Sequence, residues 1–363
     1  MALTDTPTSV PWWSWGWPAA AIVVMLASLA LGLSTALTVL AAIVLIGTVF
    51  AAVYHAEVVA HRIGEPFGTL VLAVAVTVIE VALIVSVMVS NPEAKAGLAR
   101  DTVYAAVMIV CNGIVGLCLL IGGMRHREQN FQLQGASAAL AVLVALVTLS
   151  LIVPNVTTSA PGPSYTNSQL IFAGVTSLIL YGSFVFVQTV RHRDYFLPPD
   201  GDGEGSHAER PSRPIAIISF CLLIVALAAV VGLAKALTPA LESLIAAAGA
   251  PKATVGIAIA ALVLLPEGLA AMRAAGANRL QNSLNLSLGS ALASIGLTIP
   301  TVAVLSVIMG YPLQLGLSAK DEVLLAVTVV VGIITLGNGR TTVLQGIVHL
   351  VLFASFIFFA VVP

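Results

Sequence analysis

PFGTLVLAVAVTVIEVALIVSVMVS, residues 66–90, carries a single ionisable side chain, Glu80. A run this long and apolar fits a helix that crosses a bilayer, which needs about 20 mostly apolar residues. A charge at the centre of such a helix costs at least about 2.5–3.5 kcal/mol on insertion scales. It is tolerated only when the group is protonated, paired or holding a cation. No Lys or Arg lies within a turn of Glu80. The pattern recurs in ATVGIAIAALVLLPEGLAAMRA, residues 253–274, with Glu267 deep in the run. Arg273, six residues further on, is long enough to snorkel outward.

The whole chain has this character. Of its 363 residues 59% are hydrophobic and 9% charged, against about 25% charged in an ordinary globular protein. So few charges cannot cover a soluble surface, so lipid must. Apolar segments near 18–34, 36–60, 66–90, 102–123, 134–154, 168–190, 214–237, 253–274, 282–309, 320–337 and 341–362 predict an all-α, polytopic membrane protein of about eleven spans. Trp12, Trp13, Trp15 and Trp17 precede the first span, where an interfacial aromatic belt is expected. A net charge of −1 gives no sign of a nucleic-acid partner. Cys111 and Cys118, seven apart on one predicted helix, sit about 10 Å apart, too far for a disulfide.

Positive charge predicts orientation. The N-terminal side, with the loops after spans 2, 4, 6, 8 and 10, holds ten of the 15 Lys and Arg residues. That predicts a cytoplasmic N-terminus and an outside C-terminus in the inner (plasma) membrane of a bacterium. The longest polar stretch, 191–213, reads as a cytoplasmic acidic linker. Its Asp200-Gly201-Asp202-Gly203-Glu204-Gly205 looks like the start of an EF-hand, but the twelfth position is Pro211, so the cage cannot close. The predicted organisation is therefore an N-terminal tail and extra helix (1–35), a first five-helix repeat (36–190), the linker (191–213) and a second five-helix repeat (214–363). Glu80 and Glu267 fall on the second helix of each half. Those helices run in opposite senses, as in the inverted repeats of secondary transporters.

Polar residues around the two glutamates form the candidate site. Thr77 precedes Glu80 by one turn, and Asn112 in span 4 is its best polar counterpart. Pro266 cannot bond the carbonyl of Leu262, so that oxygen beside Glu267 is a candidate hard-cation ligand, with a local break in the helix expected. Span 9 carries Ser283, Ser287, Ser290, Ser294, Thr298 and Thr301 at three- and four-residue steps, on one face. They either line a wet cavity, with Ser290 and Ser294 deepest, or permit close helix packing. His55 and Glu57 in span 2 and His349 in span 11 either tune proton access or make interhelical hydrogen bonds.

These segments together resemble the calcium/proton antiporters of the cation/calcium exchanger superfamily, most closely its bacterial ChaA branch. The residues are His55-Ala56-Glu57, Ala60-His61-Arg62-Ile63-Gly64-Glu65-Pro66-Phe67-Gly68, Ile79-Glu80-Val81 and Arg100-Asp101-Thr102. Pro266-Glu267-Gly268, Leu288-Gly289-Ser290-Ala291, Gly339-Arg340-Thr341 and His349-Leu350 follow in order. The resemblance implies two repeats, spans 3–4 and 8–9, whose glutamates bind the transported cation. The usual Gly-Asn pair before each glutamate is absent, Ala293 stands where many relatives have Gln, and Met108 replaces a matching Ser. The expected function is exchange of Ca2+, with Na+ or K+ as alternatives, for protons competing for Glu80 and Glu267. No catalytic residue and no cofactor is expected. The expected partners are lipid, inorganic cations and protons, with no oligomeric state implied. A cation channel is the first rival. An intramembrane enzyme is the second, although no Ser/His pairing, HExxH or Asp pair is evident.

Overall fold

A computed structural model describes residues 10–32, 34–64, 67–90, 96–198, 211–251 and 253–362. The Asp200–Gly205 segment lies outside the described residues. Each of the eleven apolar segments read from the sequence falls on one helix. In chain order these are α1 Trp12–Leu31, α2 Thr35–Ile63, α3 Phe67–Ser90, α4 Leu98–His126, α5 Leu133–Asn155 and α6 Asn167–Arg191. They continue with α7 Arg213–Ala247, α8 Thr254–Gly276, α9 Leu280–Met309, α10 Ala319–Leu336 and α11 Val343–Val361. Among the described residues, nine helices are long and apolar enough to cross a membrane by length and composition. In α3 the apolar stretch described is Val74–Met88. Helix α10 opens with Lys320, Asp321 and Glu322.

Two edges differ from expectation. Helix α1 already starts at Trp12, so the four tryptophans lie within it and not ahead of it. Helix α7 runs ten residues beyond the apolar segment, and Lys235, expected in a loop, sits inside it. Ala, Leu, Lys and Glu follow that segment, and good helix formers carry a helix on after hydrophobicity stops.

The helices pack as two compact units, which cut across the two halves of the sequence. Helices α1, α2, α3 and α7 form one unit, and α4–α6 with α8–α11 form the other. In the first, α2 packs against α1, α3 and α7. In the second, α4 is the most enclosed membrane-length helix. It includes a π-helical turn, Ile109–Ile114. A short antiparallel pair, β1 (Gln129–Asn130) with β2 (Arg340–Thr341), joins the segments after α4 and before α11.

Helix α11 lies almost against the backbone of α4. A Cβ added at Gly346 would come 2.5 Å from the Leu120 amide nitrogen and 2.9 Å from the Gly116 carbonyl oxygen. Even alanine there would force the two helices apart. Close backbone approach through glycine is how membrane helices pack without a hydrophobic driving force between them, and here it brings His349 onto α4.

The start of the linker is also fixed. Phe196 is buried, with its ring centroid 5.8 Å from that of Phe184. Its carbonyl accepts from Asn285 Nδ2 at 2.6 Å.

Candidate cation site

In the first unit, Glu80 is 3% exposed and Thr77 is also buried. Ile84 and Val87 continue their face at three- and four-residue steps, while Val74 and Val78 look outward. Glu80 is therefore turned toward protein and not toward lipid. On α2, Glu57 is half-buried. His55 is fully buried, and its Nε2 lies 3.0 Å from the Ser14 carbonyl oxygen of α1. That carbonyl would normally accept from the amide four residues on, but residue 18 is proline and has no N–H. A carbonyl only accepts, so His55 Nε2 carries the proton, and the imidazole replaces the donor that Pro18 removes.

In the second unit, Glu267 is 6% exposed and Pro266 is buried beside it. The expected break at Pro266 does not occur: α8 is continuous from Thr254 to Gly276. Proline deletes one backbone bond, and packed neighbours hold a membrane helix together across the gap. Leu262, whose carbonyl faces that missing donor, is half-buried. Gly268 lies against the π turn of α4, where an added Cβ would meet Ile114 Cδ1 at 3.1 Å. The turn bearing Asn112 thus borders the Glu267 segment. This adjoins Asn112 to the second glutamate's helix, whereas the sequence suggested Glu80 as its companion.

Asn112 is fully buried, and both ends of its amide are engaged. Nδ2 donates to Thr328 Oγ1 at 2.8 Å, and Oδ1 lies 3.2 Å from His349 Nδ1. His349 Nε2 lies 3.1 Å from Thr335 Oγ1. Thr328 and Thr335 were not singled out from sequence. They are hydroxyls seven apart in an apolar helix, hence on one face, and that signal could have found them.

The span 9 stripe divides. Ser283, Ser287, Ser294 and Thr298 are buried and Ser290 is half-buried. Thr301 is exposed and bonds back to Leu297. Pitch explains this: α9 turns through 30 residues, and the stripe drifts off the packed face toward its end. Near Thr298 the helix packs closely, since a Cβ at Gly296 would meet Tyr181 Cβ at 2.7 Å. Close packing accounts for that part of the stripe. Among the described residues no three His, Cys, Asp or Glu side chains gather as a metal cluster.

The family model described as sodium/calcium exchanger protein matches residues 33–190 and 218–362. The chain belongs to the sodium/calcium exchanger family. It is similar to "Putative ionic transporter y4hA" of Sinorhizobium fredii, at 52% identity across 98% of this chain and 97% of that protein. The sodium-potassium/proton antiporter ChaA of Escherichia coli is 36% identical, across 89% of this chain and 88% of its own length. Among solved structures, native YfkE superposes with a TM-score of 0.73 at 17% identity, covering 95% of this chain and 98% of that one, a likeness of fold. As a sodium/calcium exchanger family member, the chain is a multi-pass membrane protein and a cation antiporter, not an enzyme.

Proposed function

We propose that this exchanger couples cation export to proton entry, with Ca2+ as the cation and Glu80 and Glu267 as the groups that bind cation and protons in turn. The observation that carries the reading is that each glutamate is buried in an otherwise apolar helix. With both carboxylates ionised, the pair suits one divalent hard cation. With both protonated, it is neutral and can reorient without cation as the protein alternates access. Thr77, the Leu262 carbonyl beside Pro266, Asn112, Ser290 and Ser294 would supply neutral oxygens. Transport of Na+ or K+ is the second reading, favoured by the name of the E. coli relative.

Proteoliposomes enclosing a pH-sensitive dye test this. A pulse of Ca2+ should move protons in the opposite direction, and Na+ or K+ pulses rank the ions. Cation flux that leaves the proton signal flat would overturn proton coupling. The same reading puts the protein in a bacterial plasma membrane, with its N-terminus inside and its C-terminus outside, on the asymmetry of Lys and Arg. A C-terminal reporter active only outside the cytoplasm should be active. An inactive reporter in inserted protein would reverse the orientation.

A further inference from the structure

The buried polar chain through His349 has one possible direction. Thr328 Oγ1 lies 2.8 Å from the Leu324 carbonyl oxygen, and two oxygens that close need a proton between them. The Thr328 hydroxyl therefore donates to Leu324, and its oxygen must accept from Asn112. That fixes Asn112 Nδ2 toward Thr328 and Oδ1 toward His349. His349 Nδ1 must then carry a proton to donate. In the neutral imidazole Nε2 becomes the acceptor, and the Thr335 hydroxyl donates to it. All four side chains are at least 97% buried. Each bond joins a different pair of helices or side chains around α4, α10 and α11, and the Asn112 turn borders Gly268 beside Glu267.

We propose that His349 is a positioning residue for cation binding: through its Nδ1–H it sets the orientation of the Asn112 amide and holds the π turn of α4 against the Glu267 segment. This rests on the reading of Asn112 as part of the cation's surroundings. The imidazole stays neutral and carries no proton through the cycle. It resembles the outer groups that orient metal ligands, whose removal typically costs 10–100-fold in affinity.

The test uses full-length protein in proteoliposomes carrying wild type, His349→Leu, His349→Gln, His349→Asn or Asn112→Leu. KM for the cation, maximal rate and pH profile are read for each. His349→Leu and His349→Gln should raise KM about tenfold, with maximal rate and pH profile close to wild type. His349→Asn should restore KM, because its Nδ2 sits where Nδ1 was and can donate to Asn112. Asn112→Leu should raise KM at least as far. A rise in Asn112→Leu with none in His349→Leu or His349→Gln overturns the positioning role alone. An unchanged KM in Asn112→Leu removes Asn112 from the site and the inference with it. A shifted pH profile, or His349→Asn as impaired as His349→Leu, makes the imidazole a proton-handling group and also overturns it. If the leucine variant gives no folded protein, the glutamine and asparagine pair decides.

Discussion

Glu80→Gln and Glu267→Gln should each bring cation-driven proton movement down to the level of empty liposomes, with yield and gel-filtration behaviour like wild type. Glutamine keeps the shape of the side chain and its capacity for hydrogen bonds, so packing around the buried positions survives. It cannot ionise. A site left with one carboxylate neutralises only half the charge of a divalent ion, in a medium where unbalanced charge is expensive. It also lacks one of the two groups that release protons when the cation arrives. The two variants should therefore fail alike, although one glutamate lies in each compact unit. Wild-type flux from either variant would remove that glutamate from the mechanism. Loss of folded protein in both would instead mark the carboxyls as structural.

The second large effect is on the pH dependence of cation affinity. If one divalent ion displaces two protons from the same oxygens, binding and proton release are linked. Where both groups are protonated in the empty site, each drop of one pH unit should raise KM by up to about a hundredfold, since two protons must leave. For a monovalent ion displacing one proton the limit is about tenfold. The sign follows directly: protons stabilise the empty site, so acid weakens cation binding and alkali strengthens it. Measuring KM across a pH series with no opposing gradient gives the slope. A KM that does not move with pH would show that cation and proton occupy separate groups.

Much of the architecture was legible because lipid imposes a simple rule. With no water to satisfy the backbone, each apolar segment must close its own hydrogen bonds as a helix. Length and hydropathy therefore located all eleven helices. Their ends were harder to read, because they depend on helix propensity in α7 and on packing in α1. The two glutamates were legible for the same reason: a carboxyl in the middle of such a segment is costly and conspicuous. Their local setting was less so. Pro266 suggested a broken helix, but sequence does not report neighbours that hold one together. Asn112 was visible as a lone amide, yet its partners Thr328 and Thr335 lie more than two hundred residues along the chain. Threonine is ordinary in membrane helices, where it usually bonds to its own backbone. Only the α4–α11 contact through Gly346 shows why those two hydroxyls matter.

The bond from His55 to Ser14 also bears on how the chain enters the membrane. During synthesis α1 reaches the bilayer first, and in it Pro18 leaves a carbonyl without its backbone donor. Helix α2 follows, carrying an imidazole N–H in its interior. In hydrocarbon each group alone is a liability of several kcal/mol. Leaving the translocon as a hairpin, the two helices cancel both liabilities at once. The N-terminal helix is thus half of a two-helix insertion unit, and what looks like a spare span supplies the acceptor that lets its neighbour keep a buried histidine.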